Sequence, residues 1–227
     1  GRIRAGAVGS GGYLYVVGGL DGARPLRTVD RYDPRTGEWE ALPPMHRPRY
    51  ACAVVARGGG RLLVFGGELT DAGLAASTEI YDPTASAWDL LQPVRAPSAG
   101  AAIALTASGR TAFTFGGLGL SGEALPLAEH LPLGAAMQQA AADAGGATAL
   151  GAYFVPPMWK RAPPMPTPRH LTAVTDWGRG AVAVGGKGPT FEAVRSVELF
   201  VPETMGWRQW APLPEARLRS GVAAARF

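Results

Sequence analysis

Cysteine is almost absent from this chain of 227 residues, where Cys52 stands alone. A single thiol excludes an intrachain disulfide and fits a reducing compartment. Its ACAVVA surroundings read as core, with no neighbour in sequence that would lower its pKa. Lysine is scarce too, with only Lys160 and Lys187, so arginine dominates the 22 basic residues that outweigh 18 acidic ones for a formal net charge of +4. These arginines are scattered from Arg2 to Arg226 rather than drawn into a stripe with interleaved aromatics, which argues against a nucleic-acid partner. Long apolar runs are missing: Ala51 to Ala56 and Ala99 to Leu105 are strand-sized, against the roughly 18 residues of a membrane span. No membrane partner is expected. Charged residues make up only 18% against 47% hydrophobic, which disfavours disorder, and 32 glycines with 20 prolines disfavour long helical bundles. The chain opens at Gly1 without methionine or the pattern of a signal peptide, as expected of a start inside a longer product.

What is present is a repeat. Diglycines close apolar runs at Gly18 and Gly19, Gly66 and Gly67, Gly116 and Gly117, and Gly185 and Gly186. An aromatic pair follows seven residues apart: Tyr32 with Trp39, Tyr81 with Trp88, and Phe200 with Trp207. In the third copy Leu131 holds the tyrosine position and Trp159 is the tryptophan, the gap being widened by an insertion placed at 131–157. Ten residues after each tryptophan come Arg49, Ser98, Arg169 and Arg217, mostly preceded by proline. Each copy reads as four short strands, a to d, with glycine and proline turns between. A unit this small cannot bury both faces alone, so neighbouring sheets must stack radially as propeller blades. The paired rings, each burying roughly 150 to 250 Å2, would fill the space between blades. The diglycine would let backbone approach closely at positive φ.

The diglycine, the YDP-x4-W segment of the first two copies and the following P-x-x-R resemble the kelch repeat. The resemblance implies an all-β, kelch-type β-propeller and covers nearly the whole chain. Four four-stranded blades are expected at 2–48, 49–97, 98–168 and 169–216, with the first strand of a fifth at 217–227. GRIRAGAV at the start is in register with ARLRSGVA near the end, so strand a occurs five times and the other strands four. The array is therefore expected to belong to a larger ring, of about six blades by the resemblance.

Strand alternation sends the b-to-c and d-to-a loops to one face, where kelch domains commonly bind partners. The first set carries Asp21, Arg24, Glu68, Asp71, Glu123 and Lys187; the second carries Arg2, Arg4, His46, Arg47, Arg49, Arg95, Arg169, His170, Arg217 and Arg219. Arginine forks pair carboxylates bidentately, so an acidic peptide segment is the matched ligand. The arginines at fixed phase, Arg2, Arg49, Arg169 and Arg217, have a second reading, as charges that hold each blade together through loop carbonyls. Arg24, Arg47 and Arg95 do not keep that phase and are better surface candidates, although isolated surface arginines are commonly just solvated. The insertion should project from the opposite face, as a helix over Ala135 to Ala144 docking a second partner or as a floppy loop.

The function expected is a non-enzymatic protein-interaction module. The resemblance implies roles such as substrate receptor of a cullin-type ubiquitin ligase, or scaffold in cytoskeletal or other large assemblies, hence an intracellular setting, cytoplasmic or cytoskeletal. The alternative is an enzyme in the central channel. A galactose-oxidase-like copper site needs a cysteine linked to tyrosine, and one core cysteine does not suggest it. Three scattered histidines, His46, His130 and His170, make a poor metal set, and neither cofactor nor metal is expected. Distant carboxylate pairs of glycosidase type stay open. The GSGG before strand b matches RGGGR at the equivalent hairpin turn and lacks the features of a phosphate loop.

Overall fold

The computed structural model describes residues 1–69, 73–106, 108–134, 157–178 and 180–217. Short runs rich in β-branched and aromatic residues, cut by glycine turns, form strands of five residues or fewer. Blade one holds β1 (Gly6–Ser10), β2 (Tyr13–Val17), a small ribbon of β3 (Leu20–Asp21) and β4 (Arg24–Pro25), then β5 (Val29–Asp33) and β6 (Glu38–Leu42). Blade two holds β7 (Ala53–Arg57), β8 (Arg61–Phe65), β9 (Thr78–Asp82) and β10 (Ala87–Leu91). Blade three holds β11 (Ala102–Leu105), β12 (Thr111–Phe115), β13 (Ala128–Pro132) and β14 (Lys160–Arg161). Blade four holds β15 (Ala173–Asp176), β16 (Ala181–Val184), β17 (Val197–Val201) and β18 (Gly206–Gln209). Each blade is a four-stranded antiparallel sheet in sequence order, so the chain is an all-β propeller array.

The first strands β1, β7, β11 and β15 lie against one another in turn around the axis. A belt of backbone hydrogen bonds joins them there. The Ala51 amide donates to the Arg4 carbonyl at 2.9 Å, Gly100 to Ala51 at 3.0 Å, and Leu171 to Gly100 at 2.9 Å. All four belt residues have positive φ, three of them without being glycine: Arg4, Ala51 and Leu171 at 54°, 50° and 53°. A second set of bonds explains the diglycines. The Gly67 amide donates to the carbonyl of Ser98, the residue that opens the next blade, at 3.0 Å. Gly66, at φ +63°, passes so close that a Cβ would lie 2.8 Å from that same carbonyl.

The aromatic pairs meet as their spacing requires. Tyr32 and Trp39 are cross-strand partners with ring centroids 5.0 Å apart, Tyr81 and Trp88 are at 5.3 Å, and Phe200 and Trp207 at 5.1 Å. The indole N–H of Trp88 donates to the Pro43 carbonyl of blade one at 2.7 Å, and that of Trp207 to Pro163 of blade three at 2.9 Å. Trp159, fully buried, packs on Phe65 of blade two and donates to the Thr78 hydroxyl. Leu131 is buried within β13 and paired with Ala112, so the strand continues past it and the insertion leaves the blade beyond Leu133 rather than at Leu131. The helix considered for Ala135 to Ala144 and the fifth strand beyond Arg217 lie outside the described residues.

Candidate functional site

The structure takes the phase-locked arginines Arg49 and Arg169 out of the ligand-contact set, because both are completely buried. Arg49 donates to the carbonyls of Gly66 and Ser77, to the Ser77 hydroxyl and to Glu79, itself fully buried on β9. Glu79 also accepts from the backbone amides of His46 and Arg47, which arrive from blade one. Arg169 repeats the pattern with Ser196 and Glu198, and Glu198 accepts from Thr167 of the preceding linker. Arg2 does the same with Gly18, Thr28 and Asp30. Each arginine is thus a clamp that ties the start of a blade to an acid on its third strand. Charges tied to an acid and to carbonyls in this way, completely buried for Arg49 and Arg169, hold position rather than greet a ligand.

The face of b-to-c and d-to-a loops converges on a depression of about 570 Å3 where the chain enters the first strands of the four blades. Its rim is built from antiparallel bridges, one per blade: Ile3 with Leu20, Tyr50 with Glu68, Ala99 with Leu118, and His170 with Lys187. Two bridges are apolar. The second carries a carboxylate already engaged, since the Tyr50 hydroxyl donates to Glu68 and the Arg4 guanidinium lies 3.9 Å from it. That bond to Glu68 pushes the Tyr50 phenol pKa up, with burial adding to it. The fourth bridge is basic, and the Lys187 ammonium stands 5.2 Å from the centroid of the Phe191 ring. His170 meets the same ring edge-on at 5.8 Å.

Phe191 falls on none of the recurring marks of the repeat. It is 51% exposed and sits at φ +64°, a conformation that a bulky aromatic rarely adopts. In blade three the equivalent position, five residues beyond the diglycine, is Gly122 at φ +80°, and both amides donate three residues back, to Gly119 and Gly188. The repeat alignment could have flagged a phenylalanine where its neighbour keeps glycine; the backbone angle it occupies is not written in sequence.

Of the other expected contacts, Arg4 and Lys187 line the depression. Arg24, Arg47 and Arg95 are exposed, and Arg47 and Arg95 use their backbone amides on the interblade acids Glu79 and Glu129. The His46 ring, 47% exposed, lies 3.1 Å from Glu79 and so faces the interblade clamp. Arg217 is 63% exposed and pairs with Glu215 at 2.9 Å, while its carbonyl accepts from Gly186. Arg219 and Asp71 lie outside the described residues. Cys52 lines the depression as a half-buried residue, and burial pushes its thiol pKa up. Among the described residues no helix is long and apolar enough to cross a membrane.

Comparison with known proteins agrees with this architecture. The family model described as Kelch motif matches residues 1–46. Kelch-like protein 35 of Mus musculus is 44% identical over 66 residues, which is 29% of this chain and 11% of that protein. Its Homo sapiens counterpart is 44% identical over 55 residues, 24% of this chain and 9% of that protein. The chain thus matches about a tenth of the length of these curated relatives. Among solved structures, that of YjhT superposes with a TM-score of 0.73 over 98% of this chain and 74% of that one, at 15% identity, a likeness of fold alone. Four in-phase repeats folded as four antiparallel blades, with the Kelch motif matched over the first of them, give the chain the architecture of a kelch-type β-propeller.

Proposed function

We propose that this propeller is a protein-binding module whose rim of b-to-c and d-to-a loops holds an acidic segment of a partner. The observation that carries the reading is Phe191, kept half-exposed on strained backbone between His170 and Lys187. Strain of this kind persists at sites where a side chain is needed in one direction. A rigid aromatic beside an ammonium suits a carboxylate flanked by an apolar side chain. The exposed guanidiniums of Arg24, Arg47 and Arg95 add positive field on the same set of loops. Binding is favoured over catalysis because the carboxylate at the depression, Glu68, is already held by Tyr50 and Arg4. Among the described residues no three His, Cys, Asp or Glu side chains gather as a metal site. In an intracellular setting such a module would serve as the client receptor of a larger assembly, a cullin-type ubiquitin ligase or a cytoskeletal scaffold.

The test is a fluorescence-polarisation titration with labelled peptides that alternate glutamate with leucine or phenylalanine, beside neutral and basic peptides of equal length. Saturable binding of the acidic peptides, weakened at least tenfold by Lys187→Glu, is expected. Equal affinity for all three peptide classes would remove the reading.

A further inference from the structure

Blade three breaks the clamp described above. The arginine of blades one, two and four is replaced by Ser98, yet the acid is kept as Glu129, only 1% exposed on β13. Its known partner is one backbone amide, that of Arg95 at 3.2 Å, whereas Glu79 receives two amides and a guanidinium. The Ser98 hydroxyl is fully buried and makes no hydrogen bond. So is the hydroxyl of Thr114, which stands directly across from Glu129 on β12 and so shares its face of the sheet, where blade two has Val64. Three oxygens in one buried region are therefore short of partners, which in native proteins calls for a water or an ion.

The size and charge of the missing partner can be read from the neighbouring blades. In blade two one guanidinium spans from the Gly66 carbonyl, at 3.0 Å, to Glu79. In blade one Arg2 reaches the Gly18 carbonyl, at 3.1 Å, and Asp30. The diglycine carbonyl of blade three is that of Gly116, on a strand paired with β13 in the same register. Two guanidiniums attract Glu129 only from beyond ion-pair distance. Arg161, its cross-strand neighbour, and Arg95 are both exposed, and the ion pairs of the described residues include none to Glu129.

We propose that the slot filled by arginine in the other blades binds an alkali cation, sodium or potassium, in blade three, held by the Glu129 carboxylate, the Ser98 and Thr114 hydroxyls and the Gly116 carbonyl. An all-oxygen donor set selects a hard cation. A single carboxylate balances one positive charge, where magnesium or calcium sites draw on more. The cation takes over the mechanical task of the arginine, closing blade three onto the linker that carries Arg95, and it is a structural ion independent of the rim.

Thermal unfolding of the whole chain in choline chloride, sodium chloride and potassium chloride at equal ionic strength tests this. A saturable rise of about 3 °C in sodium or potassium over choline is expected for a site of millimolar affinity; the larger of the two responses identifies the ion. Ser98→Arg should raise the choline value and abolish the response, and Thr114→Val and Glu129→Gln should each abolish it, so the result does not hang on one variant folding. Equal midpoints in all three salts, or a response that survives Glu129→Gln, would overturn the proposal in favour of water or a protonated carboxyl. Rubidium soaked into crystals should give an anomalous peak between Glu129 and Gly116, and its absence at high occupancy elsewhere would count against the site.

Discussion

Arg49 and Glu79 lie 2.5 Å apart with no exposed side-chain surface on either, although one sits in the linker that opens blade two and the other on its third strand. Because amides of His46 and Arg47 land on the same carboxylate, removing either charge strands the other inside a dry interface between blades. Glu79→Gln or Arg49→Met should each cost about 3 to 5 kcal/mol, the range for breaking one half of a buried pair. The double variant should lose less than the sum, and urea unfolding midpoints of the three proteins measure it.

Two glycines separate two effects that one substitution usually mixes. Gly66 and Gly22 both have positive φ, near +63° and +59°, but a Cβ at Gly66 runs into the Ser98 carbonyl while at Gly22 nothing lies within 4 Å. Gly22→Ala should therefore lose only the left-handed conformational term of about 1 to 2 kcal/mol. Gly66→Ala should lose at least twice as much, because the carbonyl that must yield also accepts the Gly67 amide. Comparison of the two melting curves checks this.

The architecture was open to sequence reading because its marks recur in phase: the diglycine needs the adjacent blade's carbonyl, and the tryptophan needs the preceding blade's loop. What each arginine does was only half legible. Recurrence in phase suited a clamp as well as a binding surface, and only the partner on the third strand, 30 residues downstream of Arg49 and 29 of Arg169, decides for the two. Glu129 was missed altogether, since its meaning lies in the arginine that Ser98 is not. Phe191 was missed because a strained backbone angle leaves no trace in residue spacing.

Trp39 and Trp88 occupy one repeat position in two settings. Trp88 is 6% exposed and bonded to Pro43, while Trp39 is 56% exposed on the outer flank of blade one. Trp88→Ala should cost about 3 to 5 kcal/mol in this chain, and Trp39→Ala about 1 or less. Chemical unfolding followed by circular dichroism distinguishes them, and equal losses would contradict the interblade packing described.

Burial raises the pKa of the Glu129 carboxyl above its ordinary value, with the Arg95 amide opposing. A carboxyl whose folded pKa exceeds its unfolded one binds its proton more tightly when folded. Its contribution is therefore fully present at acid pH below the unfolded value and is lost as pH rises through the folded one. In choline, the chain should lose stability over that rise from about pH 4 upward, more steeply than Glu129→Gln, as melting temperatures at stepped pH would show.

Phe191→Gly gives the sharpest distinction between folding and recognition. A core phenylalanine cut back this far would cost about 3 to 5 kcal/mol. Here the ring is half-exposed and its backbone is at φ +64°, so glycine relieves about 1 to 2 kcal/mol of strain while adding up to about 1 kcal/mol of unfolded-chain entropy. The remaining loss is the contact with His170 and the Lys187 ammonium. These opposing amounts should leave stability within about 1 kcal/mol of the parent, while affinity for the acidic peptide drops at least tenfold, as for an anchor residue. Phe191→Asn, which also tolerates the left-handed region, should behave alike in both measurements. A large loss of stability with unchanged peptide affinity would make the ring a structural prop and leave the rim without its anchor.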